Sequence, residues 1–317
     1  MAISKIDWSK TLGRRLKLRD LYVFLTVANE GSMARAATEL GVSQPVVTAA
    51  IADLEAALGL RLFDRTKRGV KTTPFGDVLI QGGLKTFDEL KNTISDLEFL
   101  ADPGAGIVKI GCPETISPIL TPIFERMRKQ HPRLVFDVVD VVAPTYDLPQ
   151  LRDRTLDLAV LRVLWAPPHP EDLLVEELAD DETVVVVGAK SPFARKRTIE
   201  LADLAHSDWV LPPPHSTNSI VVMEAFQLRK LPIPNVAYVT FSVALRASLL
   251  STGRYVSVMP KTLMKIEGSR MGLKALPIQL ATRKWPIVLV TLKGRTLRPA
   301  ARRFIDLLRT HEFTRSA

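Results

Sequence analysis

The run Ser43-Gln44-Pro45-Val46-Val47-Thr48 puts hydrogen-bonding side chains at the start of a predicted helix. A glutamine amide carries donor and acceptor together and can take the edge of adenine bidentately, while threonine or valine can pack on the methyl of thymine. Downstream, residues 61–71 hold Arg61, Arg65, Lys67, Arg68 and Lys71 against Asp64 alone. A basic run is often only a solvated face. Beside a helix that can read base edges, it suits phosphate contact, which releases condensed counterions.

A second group of polar residues sits where a ligand could be held. Thr115 and Ser117 follow a predicted strand and start a predicted helix, and hydroxyls with free backbone N–H groups at such a point suit a carboxylate. Ser117 reads equally well as a plain helix cap. Arg162 closes a later strand and could hold an anion bidentately, or could lie in an exposed ion pair. The stiff loop Pro212-Pro213-Pro214-His215 leads into Ser216, Thr217 and Asn218, and Phe241-Ser242-Val243 begins a further helix. These places lie just past predicted strand ends, where α/β sheets bind ligands. Glu114, next to Thr115, argues weakly against a strongly anionic ligand.

Nothing points to catalysis. There is no P-loop, HExxH, GxSxG or CxxC, and His131, His169, His206, His215 and His311 are scattered without metal-ligand spacing. An enzyme needs a reactive constellation, so no catalytic residue, cofactor or metal is expected. Cys112, the one cysteine, excludes an intrachain disulfide and an internal dithiol switch; it reads as a small buried thiol and fits a cytoplasmic protein. Residues Met1 to Arg19 lack the apolar core of a signal peptide. Apolar stretches such as Leu134–Ala143, broken by Asp137 and Asp140, are too short to span a membrane. With 317 residues, 46% hydrophobic and 24% charged, the chain is expected to form two or three folded domains. Its formal net charge of +9 favours a polyanionic partner or an acidic surface.

The elements that must position these residues follow from periodicity. After a basic arm over residues 1–17, Leu21, Phe24, Leu25 and Ala28 recur at helical spacing from Leu18 to Asn29, and Gly31 stops the helix. Ser32 can cap a second helix with Ala36, Ala37 and Leu40 inward, ended by Gly41. Ser43 can cap a third, with Pro45 in its first turn and Val46, Ala50, Ile51, Leu54 and Leu58 inward, ended by Gly59. Two short helices about a glycine-containing turn make a helix-turn-helix. Arg61–Phe63 and Val70–Thr72 pair as a wing around Lys67-Arg68-Gly69. From Pro74 to Leu100 a long helix carries Leu79, Gly83, Phe87, Leu90, Ile94, Leu97 and Ala101 in steps of three or four. That is close to a heptad seam and predicts a helix-helix dimer contact; the alternative is an amphipathic helix lying on its own domain. Asp102-Pro103-Gly104-Ala105-Gly106 is a hinge.

Beyond the hinge, strands at Ile107–Ile110, Leu134–Val142, Leu156–Leu161, Val184–Val187, Trp209–Leu211, Ala237–Thr240, Tyr255–Val258 and Ile287–Thr291 alternate with helices. The helices are expected at Pro118–Gln130, Ser219–Arg229, Val243–Leu250 and Pro299–Arg309. The run of four valines suits a strand buried on both faces. So long an α/β stretch suggests two lobes with a cleft.

The segment from Leu18 to Gly76 resembles the LysR-type transcriptional regulators. The resemblance is carried by Phe24, Gly31-Ser32, Ala36-Ala37, Leu40, Val42-Ser43-Gln44-Pro45, Ile51, Leu54-Glu55, Leu58-Gly59, Leu62-Phe63, Arg65, Arg68 and Thr73-Pro74 with Gly76. A looser likeness continues through Gly111, Leu156-Asp157-Leu158-Ala159, Ser191-Pro192, Leu201 with Leu204, Trp209, and Gly253 through Val258-Met259-Pro260. Two positions depart from the pattern. Ala49-Ala50 stands where the family often has a polar or basic pair, which puts more weight on DNA shape and on the wing. Thr72 replaces a usual apolar residue.

The resemblance implies an all-α winged helix-turn-helix domain at residues 1–75 and a linker and dimerisation helix at 76–102. It further implies a two-lobed α/β effector domain at 106–317, like a type 2 periplasmic binding protein, with lobe I at about 106–181 and 287–317 and lobe II at about 182–286. Taken with it, the expected DNA contacts are Ser32, Arg35, Ser43, Gln44, Pro45, Val47, Thr48, Arg65, Lys67, Arg68, Lys71 and Thr73. The expected effector contacts are Thr115, Ser117, Arg162, Ser216, Thr217, Phe241, Ser242 and Val243. Implied partners are promoter DNA, a small-molecule effector for which a carboxylate is the first candidate, a second copy through the linker helix, a dimer of dimers, and RNA polymerase. The competing readings are an architectural DNA binder without ligand control and, less favoured, a solute-binding protein.

Overall fold

A computed structural model describes residues 16–66, 69–102, 104–141, 147–163, 169–280 and 285–311. Residues 1–15 of the basic arm expected over 1–17, and the wing-tip residues Lys67 and Arg68, lie outside the described residues. The chain divides into two compact units, Met1–Thr93 and Ile94–Ala317.

The first unit begins with α1 (Leu18–Glu30), α2 (Met33–Glu39) and α3 (Gln44–Leu58). Each is followed by a glycine in the left-handed region, Gly31, Gly41 and Gly59, which lets the chain reverse without a Cβ penalty. A hairpin of β1 (Phe63–Thr66) and β2 (Gly69–Thr72) follows, starting two residues later than the sequence suggested, and then α4 (Pro74–Ala101). The core gathers Leu21, Phe24 and Val27 of α1, Ala36 and Ala37 of α2, and Val47, Ala50, Ile51 and Leu54 of α3.

One expectation about α3 is reversed. Val46 was expected inward and Val47 outward toward DNA; Val47 is fully buried and Val46 is 38% exposed. The reason is angular. At about 100° per residue, Val47 lies near the centre of the stripe formed by Ala50, Ile51 and Leu54, whereas Val46 lies about 90° away from it.

The long helix divides the expected seam in two. Leu79 and Phe87 pack on the core of the first unit, with the ring of Phe87 edge-on to Tyr22 at 5.8 Å. Gly83 is buried where α1 comes so close that a Cβ would press on Leu21 and Leu25. Leu90, Ile94 and Leu97 are 41%, 47% and 62% exposed. The seam is therefore spent internally in its first half and left uncovered in its second. The last turns of α4 belong to the second unit, where Arg303 stacks over Phe99 at 4.5 Å.

The second unit contains two five-stranded sheets. The first has the order β4-β3-β5-β12-β6, formed by β3 (Ala105–Cys112), β4 (Arg133–Asp140), β5 (Leu158–Arg162), β6 (Leu173–Ala179) and β12 (Ile287–Leu292). The second has the order β11-β7-β10-β8-β9, formed by β7 (Thr183–Gly188), β8 (Asp208–Leu211), β9 (Asn235–Val239), β10 (Val256–Pro260) and β11 (Leu273–Gln279). Strands β3, β4 and β5 run parallel, as do β8, β9 and β10, while β12 and β7 run antiparallel to their neighbours. Helices α5 (Thr121–Gln130), preceded by a 3₁₀ turn at Ser117–Leu120, and α10 (Pro299–Thr310) flank the first sheet; α7 (Thr217–Leu228), α8 (Val243–Ser251) and α9 (Lys261–Glu267) flank the second, and α6 (Pro149–Arg152) is a single turn. The chain crosses between the sheets after β6 and again after β11, so C-terminal β12 completes the first sheet. This is the expected two-sheet α/β effector fold. The two strands that the sequence did not reveal, β6 and β11, are both sheet edges. Their sequences, Leu-Leu-Val-Glu-Glu-Leu-Ala and Leu-Lys-Ala-Leu-Pro-Ile-Gln, are acidic in one case and proline-containing in the other, as edges tolerate.

Candidate DNA interface and candidate effector cleft

At the helix-turn-helix, the start of α3 is laid open. Ser43, Gln44, Pro45, Val46 and Ala49 are exposed and Thr48 is half-buried. Ser43 holds the N-cap position, but its hydroxyl makes no capping bond, contrary to the expectation that it would cap α3. The Ser43 and Gln44 side chains therefore stand available together, while the Val46 N–H is already given to the Ser43 carbonyl at 3.0 Å. Thr48 Oγ1 donates to the Gln44 carbonyl at 3.0 Å. At the start of the preceding helix, Ser32 caps α2 by accepting from the Arg35 N–H at 3.4 Å, and the exposed Arg35 guanidinium is tethered to the Glu30 carbonyl.

The wing is anchored by three contacts. Glu55 Oε1 accepts from the N–H groups of Leu62 and Phe63 at 2.6 and 3.2 Å. The Val70 N–H donates to the Gly31 carbonyl at 3.0 Å. Thr73 Oγ1 donates to the Arg61 carbonyl at 2.8 Å and accepts from the Gly76 N–H at 3.2 Å. Thr73 is thus a buried cap of α4, not a free DNA contact as expected, because the one donor hydrogen of its hydroxyl is given to Arg61. Gly76 is required beside it, since a Cβ there would strike the Leu62 carbonyl. Lys71 is exposed, opposite Asp64 in the hairpin register.

In the second unit, the cleft between the two sheets encloses about 250 Å³. Pro113, Glu114, Thr115, Asp140, Leu161 and Arg162 line it from the first sheet; Pro212, Ser216, Thr217, Asn218, Phe241, Ser242, Arg246 and Pro260 line it from the second. The expected residues Thr115, Arg162, Ser216, Thr217, Phe241 and Ser242 are brought together here. Ser117 and Val243 do not line it by their side chains: Ser117 Oγ donates to the Glu114 carbonyl at 3.3 Å, and Val243 contributes its backbone N–H. That N–H donates to Glu114 Oε2 at 2.8 Å.

The hydroxyls at the helix starts are largely committed. Ser216 Oγ accepts from the Ser219 N–H at 3.2 Å and Ser242 Oγ from the Leu245 N–H at 3.2 Å. Arg162 was expected to open on the cleft or to sit in an exposed ion pair; it does line the cleft, but it is buried, and so is its ion pair. Its Nε lies 3.2 Å from Asp181 Oδ2, its Nη1 donates to Asn218 Oδ1 at 2.7 Å, and its Nη2 donates to Thr183 Oγ1 at 2.9 Å. Asp181 Oδ1 in turn accepts from the N–H and hydroxyl of Thr262. Burial lowers the Arg162 pKa while Asp181 opposes the shift. Arg162 is therefore a strut tying β5 to the start of the second sheet, with its guanidinium engaged by Asp181, Asn218 and Thr183.

The cation that sequence reasoning missed is Arg246. It is 1% exposed, and its Nη1 donates to the Val258 carbonyl at 2.9 Å. Among the described residues its Nε has no hydrogen-bond partner. Burial brings it down to about 10 while Glu114 opposes the shift, so it remains charged at neutral pH. A signal was present: Val243, Arg246 and Leu250 share the buried face of α8, and an arginine on the inward face of a short apolar helix needs a reason. The lone thiol, Cys112, is buried at the end of β3 beneath this site. Burial, with Asp140 nearby, pushes it up to about 12, so the thiol stays protonated at neutral pH.

Comparison with known proteins gives a uniform answer. The family description "LysR substrate binding domain" matches residues 101–312, and "Bacterial regulatory helix-turn-helix protein, lysR family" matches residues 18–77. The chain is 26% identical over 314 residues to the HTH-type transcriptional regulator GbpR of Azospirillum brasilense, covering 96% of this chain and 89% of that one. It is 27% identical over 306 residues to the transcriptional dual regulator GltC of Bacillus subtilis, covering 92% and 96%. Full-length OxyR from Pseudomonas aeruginosa shares its fold with a TM-score of 0.64 at 21% identity, over 95% of this chain and 99% of that one. CbnR in complex with its target DNA does so with a TM-score of 0.51 at 22% identity, over 93% and 99%.

Proposed function

The chain belongs to the LysR family of bacterial transcriptional regulators, and from that premise we propose that it reads DNA with the open start of α3 and answers to a small organic anion in the cleft between its two sheets. Membership in a family of regulators also sets aside the enzymatic and solute-binding readings. Base contacts are assigned to Ser43, Gln44, Pro45 and Val46, with Thr48 alongside. Phosphate contacts are assigned to Ser32, Arg35 and Lys71, and by resemblance to Arg65, Lys67 and Arg68. Val46 takes the place first given to Val47.

The anion reading rests on one observation: the buried Arg246 guanidinium of α8 lines the cleft with its Nε unpartnered among the described residues. A buried arginine with an open donor is a site for a charge-assisted hydrogen bond, and Thr115 and Thr217 add hydroxyls to the same cleft. The test is thermal melting of the purified protein against small mono- and dicarboxylates. A carboxylate that raises the wild-type melting temperature and has a weaker effect on Thr115→Val and Thr217→Val supports the reading. Silence across the panel with intact operator binding favours an architectural DNA binder instead.

The uncovered half of the α4 seam supports pairing with a second copy through Leu90, Ile94 and Leu97, and on the family pattern a dimer of dimers that meets RNA polymerase at a promoter in the cytoplasm. Among the described residues no helix is long and apolar enough to cross a membrane. Leu90→Asp or Ile94→Asp should shrink the particle in sedimentation and weaken operator gel shifts; an unchanged size removes the seam from the assembly.

A further inference from the structure

We propose that Glu114 is a built-in carboxylate that occupies the anion position of the cleft and latches the first sheet to α8 until an external anion takes its place. The proposal deepens the reading of the cleft as the effector site and rests on it.

The geometry of Glu114 is that of a bound anion. It stands on the loop after β3, on the first-sheet side, and its Oε2 accepts the first N–H of α8, that of Val243, at 2.8 Å across 129 residues of sequence. A helix start carries unsatisfied N–H groups and a partial positive charge that favour an anion there. Ser242 has already taken the Leu245 N–H, so Glu114 supplies the external half of the cap. One turn further on is Arg246, buried and with an unpartnered Nε, for which Glu114 is the nearby counter-charge. Helix start and buried guanidinium are independent features, and both face the cleft that Glu114 also lines.

The surroundings hold the loop in place while leaving the carboxylate displaceable. The Glu114 N–H donates to Asp140 Oδ1 at 3.1 Å, and its carbonyl accepts from Ser117 Oγ at 3.3 Å. Glu114 itself is exposed to solvent. A second anion spanning the Val243 N–H and Arg246 would compete with Glu114 for that N–H, so binding requires that Glu114 leave. Because Glu114 is tethered to the site, a simple carboxylate competes poorly with it. A ligand wins only by adding contacts elsewhere in the cleft, at Thr115 or at Thr217, which selects a small carboxylate bearing a second polar group. Displacement exchanges a contact that spans the sheets for one made by the ligand, and this differential interaction is what an effector needs to bias one arrangement of the lobes over another. Glu114 thus both occupies an anion site and weakens apparent affinity for its rival, as a competing state must.

Chemical rescue tests this in the full-length chain. Glu114→Ala should expose the α8 start, speed hydrogen exchange at the amides of Val243–Arg246, and create a site for acetate. Acetate should slow that exchange and raise the melting temperature by about 2–4 °C, while acetamide does neither and wild type responds to neither. Glu114→Gln keeps the size and one acceptor, folds where the alanine variant fails to, and should respond to acetate in the same direction by less. If both variants ignore acetate, or answer acetamide equally, the latch is wrong. Wild-type protein that still responds to a larger carboxylate in that case keeps the cleft as the effector site, so the two failures are distinguishable.

Discussion

Two kinds of helix start do different work in this chain. At α3 the N-cap Ser43 leaves its hydroxyl unbonded, and the first turn is exposed. At α7 and α8 the N-cap serines are spent on their own helices, and an outside residue, Glu114, completes the second of them. An exposed turn can leave donors to water until a macromolecule arrives. A turn facing a partly closed cleft cannot, because an unsatisfied buried polar group costs about 1–3 kcal/mol. The contrast shows why sequence motifs announce a DNA-reading surface directly but announce a small-molecule cleft only as a set of polar residues that have already found one another.

The largest expected effect would come from breaking the cleft's strut. Arg162→Met leaves Asp181 buried without its cation, and removal of one partner from such a pair destabilises by about 3–5 kcal/mol. Urea unfolding should register that loss. A stability close to wild type would return Arg162 to the role of a free ligand contact.

Next in size is the contrast between adjacent valines. Val47→Ala removes two buried methyl groups from the first unit and should lower stability by about 2 kcal/mol. Val46→Ala should stay within about 0.5 kcal/mol of wild type yet weaken operator binding. The opposite pattern in melting and gel-shift data would invert the assigned faces of α3.

Within the interface, Gln44→Ala should relax discrimination at one base pair by about 1–3 kcal/mol, read as relative affinity for operator variants. Lys71→Ala and Arg68→Ala should instead weaken binding to all sequences alike and each reduce the salt slope by roughly one. A slope that does not move takes the wing off the phosphates.

The smallest effect at neutral pH belongs to Cys112. Its thiol is raised from 9.0 to about 12 in the folded protein, so the folded state holds the proton more tightly than the unfolded one. The associated stability is complete below about pH 9 and declines as pH climbs from there toward 12. Cys112→Ala should flatten that part of the stability profile, and the native thiol should resist aromatic disulfide reagents until the chain unfolds. Prompt labelling of folded protein at neutral pH would contradict the burial of this site.

Local order was readable before any coordinates. Apolar stripes, N-cap residues and left-handed glycines located α1 through α4, and β-branched runs located the central strands of both sheets, because each of these signals is complete within one turn or one strand. The edge strands β6 and β11 were not readable, since an edge need not be apolar on both faces. The inward side of α3 was misjudged by one residue, where a stripe of small and apolar neighbours makes both valines plausible until helices α1 and α2 choose between them.

The chain's composition and motifs determined its family, its two-part architecture and the polar residues from which a site could be built. Tertiary structure alone decided which of those residues are free. It spent Arg162 on Asp181, Asn218 and Thr183, and Thr73 on a helix cap, while it delivered Glu114 to the Val243 amide and left Arg246 with an open donor. The physical reason is range. Helix and strand signals act over a few residues, but the satisfaction of a buried charge depends on groups far apart in sequence, which meet only after both sheets have formed.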